Sequence, residues 1–248
     1  MSDVIRLLTY NIQIAIAAQH RWQHLSRSWH HFLPHRGKLE NLLNIAEHIR
    51  DYDIVCLQEL DAGSFRSHHI NQLDYLAHHA KFAYAHGQTT RHMGRLAQHS
   101  KGILSHLPLV EAQRYALPSR IPGRGVQICR VKIQGQIAHV FNVHLSLSKK
   151  TQLNQLAYLV ELAATHDNVI MMGDFNVPLQ QIWQQSALKH TPLQLVTQHL
   201  PTYPSWQPKR ALDAILLGPG FQVLDTAVLR WPYSDHCAVA CEARLKNS

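Results

Sequence analysis

The segment "VIMMGDFNVP", residues 169–178, is the part of the chain that best predicts the fold. Four apolar residues, followed by Gly173 and soon by Pro178, are typical of a short, fully buried strand. Strand side chains alternate in direction, so continued extended backbone would point Asp174 and Asn176 the same way. Gly173 permits a turn or a close backbone approach. The segment predicts a carboxylate and an amide side by side at a sheet edge, although the same residue types also form ordinary turns.

Strand-like and helix-like segments alternate along the rest of the chain. Apolar residues recur at helical spacing in residues 36–51, 68–80 and 149–166. Strands are expected in residues 4–12, 52–60, 81–87, 101–117 (two strands joined at Leu107–Pro108), 125–147 (a hairpin turning at Gln134–Gly135), 169–172, 210–230 and 236–245. Hairpins mixed with strand–helix–strand units predict two packed sheets with helices outside, in a single domain spanning residues 1–248.

The composition is that of a globular protein, with 46% hydrophobic residues in a chain of 248. No apolar stretch approaches the ~18 residues of a transmembrane helix, and the N-terminus has no signal-peptide pattern. Cys56 and Cys129 lie in apolar runs and resemble small core residues, whereas Cys237 and Cys241 are too far apart on an extended strand to bond each other. A reduced, cytoplasmic monomer is the simplest expectation.

The chain is basic, with a formal net charge of +8 and 20 histidines. A basic surface favours polyanionic partners: nucleic acid, anionic lipid or phosphorylated small molecules. A cationic surface that serves only solubility is the alternative. The histidines would add charge as the pH falls through their ordinary pKa of about 6.5.

Polar residues recur where the predicted buried strands end. Ligands bind at strand ends in open sheets, so a site is expected there. Each residue alone also fits a structural role, such as a solvated strand end, a cap or a turn. Their repetition favours a shared site, because buried polar groups are costly unless compensated. The residues are Asn11, Glu59, Asn142, His144, Asp174, Asn176, Asp213, Asp235 and His236.

The chemistry of this set suits phosphoester hydrolysis. Glu59, Asn11 and Asp235 supply the hard oxygen ligands that Mg²⁺ or Mn²⁺ prefers, whereas too few Cys and His residues cluster for zinc. Attack on a phosphoester needs an aligned water, a base for it and positive charge on the phosphate oxygens. Asp174 is the candidate base, and Asn176 could orient water or phosphate. The candidate phosphate donors are His236, held protonated by Asp213, and His144.

The order of short motifs resembles that of a known family. "TYNI", "LQELD", "NVHL", "GDFN", "LDAI" and "SDH" follow one another over nearly the whole chain. This order is similar to that of the endonuclease/exonuclease/phosphatase family, which includes DNase I-like nucleases, abasic-site endonucleases, sphingomyelinases and inositol polyphosphate phosphatases. The resemblance implies a four-layered α/β sandwich, with two mixed β-sheets packed face to face and helices outside. It also implies hydrolysis of phosphoesters with a divalent metal.

The resemblance further implies roles for individual residues. Asn11 and Glu59 would hold the metal, and Asp174 would orient or deprotonate the attacking water. Asn176 and His144 would contact the phosphate, and Asp213 would pair with His236. Asp235 would be a metal or water-network residue. The "NVHL" form departs from the tyrosine-containing motif of abasic-site endonucleases, and His106 stands in "LSH" where the family often has "LSR". "NVHL" resembles the sphingomyelinase, deadenylase and small bacterial branches, and "TYPSWQPKRALDAILL" resembles the last of these. These departures and resemblances argue against a dedicated abasic-site repair role, but not against a nuclease.

Three local segments are candidates for setting the substrate. Residues 20–38 interleave aromatic residues with Arg and His, which fits base stacking, a membrane interface or a loop packed on the body. In "PSRIPGRGVQ", Arg120 and Arg124 could meet a phosphate, or the segment is a basic turn. In "YPSWQPKR", Trp206 and Arg210 lead directly into the site. Asn142 is a further candidate substrate contact.

These features predict a divalent-metal-dependent phosphodiesterase, with nucleic acid favoured as substrate because of the net charge. The alternative is a phosphoesterase acting on phospholipid, sphingomyelin or inositol phosphates, favoured by "NVHL" and the interleaved aromatic residues. A binding protein that kept the fold but lost the chemistry is a third possibility. The intact Glu59, Asp174, Asp213 and His236 argue against it.

Overall fold

The computed structural model describes residues 3–16, 37–119 and 124–246, and within them two mixed six-stranded sheets. In spatial order, the first sheet contains β11 (Phe221–Leu229), β12 (Ala238–Leu245), β1 (Val4–Asn11), β2 (Ile54–Asp61), β4 (Ala97–Ser105) and β3 (Tyr84–Met93). The second sheet contains β5 (Leu109–Ala116), β6 (Gly125–Ile133), β7 (Gln136–His144), β8 (Val169–Asp174), β10 (Asp213–Leu217) and β9 (Gln194–Leu195).

The described helices are α1 (Gly37–Ile49), α2 (Gln72–His79), α3 (Lys149–Ala163) and the single turn α4 (Leu179–Ile182). Short 3₁₀ turns lie at Gln13–Ala15, Phe65–Ser67, Trp183–Gln185 and Ala187–His190. The predicted helices are confirmed, as are the strand junction at Leu107–Pro108 and the hairpin turn at Gln134–Gly135.

Three buried apolar clusters show how the layers are stacked. The central cluster takes side chains from both sheets, including Leu7 and Cys56 of the first and Val140 of the second. A second cluster packs α1 and α2 on the outer face of the first sheet, and a third packs α3 and α4 on the outer face of the second. The order helix, sheet, sheet, helix confirms the predicted four-layered α/β sandwich.

The strand β8 ends where the sequence predicts, but the backbone beyond it is not extended as expected. Gly173 has φ +151°, and a Cβ at this position would lie 2.0 Å from the carbonyl oxygen of Val143 on β7. Only glycine permits this approach of two strands. Asn176, however, has φ +55°, so extended backbone does not continue beyond Asp174. The expectation that Asp174 and Asn176 point the same way required extended backbone through Asn176, and this condition is not met.

The predicted strand 81–87 also differs from the observed one. β3 begins at Tyr84 and continues to Met93, through polar residues. It is the edge strand beside β4, and most of its side chains are exposed or half-buried, so it carries no apolar pattern. All four cysteines are free and buried. None of the helices in the described part of the chain has both the length and the apolar composition to span a bilayer.

Strand direction brings the predicted site residues to one edge of the sandwich. β1 runs parallel to β2, and β7 runs parallel to β8, so Asn11, Glu59, His144 and Asp174 lie at carboxyl ends. β12 is antiparallel to β1 and β10 is antiparallel to β8, so their amino ends arrive at the same edge. Asp213 opens β10, directly opposite Asp174.

Candidate active site

Glu59 reaches the site through a β-bulge. In the pairing of β2 with β4, Gln58 and Glu59 both stand opposite the single residue Lys101. Glu59 adopts φ +54°, a conformation that L-residues rarely take. Bulges re-aim side chains, and they are over-represented beside active sites. The side chain of Glu59 is 35% exposed, so it faces the open edge of the sheet.

Asp174 lies at the centre of the site. Its Oδ2 accepts a hydrogen bond from Asn11 Nδ2 at 3.0 Å, and its Oδ1 accepts one from the backbone N–H of Asn176 at 2.8 Å. The Nε2 atoms of His144 and His236 lie 3.6 Å and 3.9 Å from Asp174 Oδ2. A buried carboxylate is thus surrounded by an amide and two imidazoles, which come from both sheets.

Asp213 and His236 form a close pair. Asp213 Oδ2 lies 2.8 Å from His236 Nδ1, and it also accepts a hydrogen bond from Thr202 Oγ1 at 2.6 Å. Burial alone would lower the pKa of His236, but the negative charges of Asp213 and Asp174 outweigh burial and raise the pKa well above its ordinary value. His236 is therefore an imidazolium at neutral pH, with its Nε2–H directed to the Asp174 side of the site.

The remaining titratable groups differ in charge state. Burial, with the negative charge of Asp213, raises the pKa of Asp174 to about 7, against the opposing charge of His236. Burial lowers the pKa of His144 well below its ordinary value, and the positive charge of Arg124 lowers it further. His144 is thus neutral at pH 7, and its Nε2 lies 3.8 Å from Glu59 Oε1.

Oxygen ligands for a metal converge at the outer side of this cluster. Asn11 hydrogen-bonds Glu59, and the nearby charge of Asp235 adds to burial in raising the pKa of Glu59. Gln13 Nε2 holds Asp235 Oδ2 at 3.1 Å, and the Gln13 backbone N–H holds Asn11 Oδ1. Two carboxylates held close together in a half-buried place fit a hard divalent cation, because such a cation would offset their repulsion.

A second group of possible ligands fits a metal less well. One ligand atom each from Asp174, Asp213 and His236 lie within 4.8 Å of one another. However, Asp213 already holds His236 Nδ1, and the raised pKa keeps the imidazole protonated. A protonated imidazole has no lone pair to offer, so Glu59, Asn11 and Asp235 fit a divalent cation better than this group does.

The structure corrects the assignment of Asn142 as a substrate contact. Its side chain is fully buried between the sheets. Its Nδ2 donates to the carbonyl oxygens of Leu57 at 3.1 Å and Gly102 at 2.9 Å, and its Oδ1 accepts from Gln58 Nε2 at 2.9 Å. The nearby Lys101 Nζ donates to the backbone oxygens of Gly125 and Asn142. Asn142 thus joins β7 to the first sheet beneath the site.

The other predicted substrate contacts are less buried than Asn142. Arg124 is half-buried, and the charges of Glu59 and Asp174 act on its pKa, which burial lowers. Arg210 is exposed, and Trp206 is partly buried in the same loop. The side-chain amide of Asn176 donates to the carbonyl oxygen of Leu145 at 2.9 Å. Residues 20–36 of the aromatic and basic segment lie outside the described residues, as does Arg120.

Three residues of the site escaped sequence analysis. Thr202 holds Asp213, Gln13 holds Asp235, and the ring of Tyr203 lies 4.9 Å from that of His236. Thr202 and Tyr203 belong to "TYPSWQPKR", but in this segment only Trp206 and Arg210 were recognisable as candidate substrate contacts. Tyr203 is set by backbone hydrogen bonds with Arg210, a contact that the sequence does not reveal.

Comparison with known proteins identifies the family of the chain. The family model described as "Endonuclease/Exonuclease/phosphatase family" matches residues 8–236, which include every residue of the site. The chain belongs to the endonuclease/exonuclease/phosphatase family. Members of this family are phosphoester hydrolases. A search among curated protein sequences gave no match.

Solved structures of the family share the fold. The chain is similar to an endonuclease/exonuclease/phosphatase from Beutenbergia cavernae, with 21% identity, a TM-score of 0.77, and coverage of 98% of this chain and 72% of that one. A mannosyl-6-phosphatase from Bacteroides thetaiotaomicron has 18% identity, a TM-score of 0.69 and coverage of 96% and 99%. ANGEL2, a 2′,3′-cyclic phosphatase, has 16% identity, a TM-score of 0.67 and coverage of 98% and 96%.

Proposed function

We propose that this protein is a divalent-metal-dependent phosphodiesterase that hydrolyses nucleic acid. The observation that supports this most strongly is the buried Asp174 carboxylate, which accepts from Asn11 and lies within 4 Å of the Nε2 atoms of His144 and His236. A carboxylate base, a fixed imidazolium and a group of oxygen ligands at one strand edge are the parts that phosphoester hydrolysis requires.

The metal would be held by Glu59, Asn11 and Asp235. When bound, Mg²⁺ or Mn²⁺ would neutralise charge on a phosphate oxygen and orient the substrate. Gln13 keeps Asn11 and Asp235 in place through its backbone N–H and its side-chain amide. The donor set contains only oxygen atoms, which suits these hard cations.

The proton of the attacking water would pass to Asp174. Its pKa of about 7, raised by burial, lets the carboxylate act as a general base near neutral pH. Asn11 Nδ2 fixes Oδ2, and the N–H of Asn176 fixes Oδ1, so the carboxylate cannot rotate freely. Preorganisation of this kind lowers the barrier because little rearrangement is needed during reaction.

Positive charge on the phosphate would come from His236 and Arg124. His236 is held protonated by Asp213, so its Nε2–H can donate to a phosphate oxygen as negative charge develops there. His144 is neutral, and it would serve as a hydrogen-bond donor rather than as a cation. Asn176 remains a proposed phosphate contact through its side chain.

Nucleic acid is the proposed substrate because the chain is strongly basic and cations reach the rim of the site. The net charge is +8, and the charge of Arg124 interacts with those of Glu59 and Asp174. Arg210 is hydrogen-bonded through its backbone to Tyr203, whose ring lies beside that of His236. Phosphate backbones are bound mainly through such charges. The four free cysteines support a reducing compartment such as the cytoplasm, and we propose a monomer built as a single domain.

The test is hydrolysis with Mg²⁺ of plasmid DNA, single-stranded DNA, RNA, a choline phospholipid and an inositol phosphate. Glu59→Gln removes the proposed metal ligand, and Glu47→Gln, at an exposed position on α1, is the matched control. We expect cleavage of nucleic acid by the wild type and by Glu47→Gln, and its loss in Glu59→Gln. Cleavage of lipid or inositol phosphate alone, with nucleic acid left intact, would contradict the proposed substrate.

A further inference from the structure

The hairpin that joins β3 to β4 projects at the same edge as the candidate active site. Asp61, two residues after Glu59, pairs with His99 of β4, and His99 pairs with Arg91 of β3. Neighbouring strands are ~4.8 Å apart, so the backbone of Arg91 lies about 10 Å from that of Asp61. The hairpin continues beyond Arg91 and turns at residues 94–96, beside the mouth of the site.

Three large apolar side chains are exposed together at this hairpin. Leu96 is 61% exposed, Met93 is 39% exposed, and Phe65 is 42% exposed. Phe65 belongs to the neighbouring 3₁₀ turn, and its backbone N–H donates to the carbonyl oxygen of Arg95 at 2.9 Å. We call Phe65, Met93 and Leu96 the apolar tip. Single exposed apolar residues need no explanation, but a group beside a catalytic edge indicates a binding surface.

Cationic and imidazole side chains surround the apolar tip. Arg91 and Arg95 are exposed on the hairpin, and the His69 ring lies 6.3 Å from that of Phe65 in an edge-to-face arrangement. Between residues 62 and 96 the only acidic residue is Asp74, which lies on α2. A polyanion would therefore meet little repulsion at this surface.

The charges of Arg91 on the hairpin and of Arg124 at the active site both act on His99 of β4. His99 lies between the two, and its side chain is half-buried. Burial lowers the pKa of His99 to about 4, and the positive charges of Arg66, Arg91 and Arg124 add to this effect. Arg124 in turn lies close enough to Glu59 for their charges to interact. His99 is therefore neutral at pH 7, and a strand with its phosphodiester at the site would meet guanidinium groups at two places: Arg124 beside Glu59, and Arg91 with Arg95 on the hairpin.

The combination of apolar, imidazole and guanidinium groups fits unpaired nucleobases. Single-stranded nucleic acid exposes base faces, which stack or pack on aromatic, histidine and arginine side chains, while its phosphates meet the cations. A duplex hides its base faces in the stack, so the apolar tip would gain nothing from it. A lipid bilayer would reward a larger uninterrupted apolar surface than these three side chains provide.

We propose that the apolar tip, with Arg91 and Arg95, binds unpaired bases of a nucleic-acid strand whose phosphodiester lies in the candidate active site. This inference rests on the proposed nuclease function and narrows its substrate to single strands. It makes Phe65, Met93 and Leu96 specificity-determining residues that lie outside the reacting groups.

The test is equilibrium binding to a fluorescent oligothymidine and to a duplex of equal length, measured by anisotropy in Mg²⁺. All proteins carry Asp174→Asn, which removes the proposed base and keeps the proposed metal ligands, so the substrate is not consumed. The tip variant combines Phe65→Ser with Leu96→Ser. The matched control is Val110→Ser, at a 56% exposed position of β5 that lies at the far end of the sandwich. Thermal unfolding of each variant verifies that the surface substitutions leave the fold intact.

We expect the tip variant to bind the single strand about ten- to a hundredfold more weakly, while its duplex affinity and both affinities of the control stay within about twofold. Unchanged single-strand affinity in the tip variant, or equal losses for both oligonucleotides, would overturn the inference and leave the nuclease proposal standing. Binding of neither oligonucleotide by the parent would overturn both. A tip-dependent affinity for anionic phosphatidylglycerol vesicles, with nucleic-acid affinity unchanged, would also overturn it.

Discussion

The pair formed by Asp213 and His236 gives a sharp prediction, because Asp213→Asn keeps the shape of the site and removes one charge. Two unit charges 2.8 Å apart attract by about 6 kcal/mol at an effective dielectric constant of ~20. This figure is the upper limit of the loss, since the amide can still hydrogen-bond Nδ1. Without the Asp213 charge, fewer negative charges oppose the effect of burial, so the pKa of His236 falls.

We expect kcat of Asp213→Asn to fall by about 10²–10⁴ at neutral pH. A loss of this size corresponds to about 3–5 kcal/mol of transition-state stabilisation, which lies within the electrostatic limit. The sign of the pH dependence follows from the role of His236, which acts when protonated. Because the substitution lowers the pKa of His236, the decline of activity on the alkaline side should begin at lower pH than in the wild type.

The assay is the pH–rate profile on the best substrate of the wild type, with Mg²⁺ in excess. Asp225→Asn, an exposed carboxylate on β11, is the matched control and should leave the profile unchanged. Titration of the His236 ring by NMR in both proteins gives a readout that is independent of turnover. A kcat within about threefold of wild type, or an alkaline limb that does not move, would refute the assigned role of Asp213.

Three further predictions concern the strand edge. Gly173→Ala should lower the free energy of unfolding, measured in urea, by about 2–6 kcal/mol. The control Gly135→Ala has positive φ but open space around it, so its loss of unfolding free energy should be much smaller. Equal losses in the two variants would exclude the steric explanation. Asp61→Asn should remove about 2–3 kcal/mol of stability at pH 7, since hydrogen bonds from its neighbours overcome burial and hold its pKa at about 2. The difference from wild type should shrink as the pH falls from about 4 toward 2, and a constant difference would be inconsistent with an ionised Asp61. Asp174→Asn should lower kcat by at least about 10² without lowering the unfolding midpoint, because burial already disfavours the charged form of Asp174. Near-normal turnover would remove Asp174 from the site.

The sequence predicted the elements whose causes are local. β8 is recognisable because four apolar residues end at a glycine, and the structure shows why that glycine is required beside Val143. The helices α1 and α3 follow from their apolar spacing. The short motifs around Asp174, Asp213 and His236 placed these residues in one site, and the structure brings them within contact distance.

The remaining features depend on contacts between distant parts of the chain. At the bulge, two residues of β2, including Glu59, stand opposite one residue of β4. No local sequence pattern encodes this mismatch between the two strands. Asn142 is a residue type that often binds ligands, but its side-chain amide hydrogen-bonds two carbonyl oxygens and Gln58 between the sheets. Thr202 meets Asp213 only after the loop between β9 and β10 has folded back. β3 escaped a full prediction because an exposed edge strand needs no apolar alternation.

The most direct test of the central claim, a metal-dependent phosphoester hydrolysis centre, is the hydrolysis of bis-p-nitrophenyl phosphate by metal-stripped protein. Activity should be absent after chelation and should return on titration with Mg²⁺ or Mn²⁺. It should stay at least about 10²-fold lower in Glu59→Gln at every metal concentration. Full activity in the metal-free protein, or wild-type turnover by Glu59→Gln, would contradict the assignment of these residues to a metal-dependent phosphoesterase.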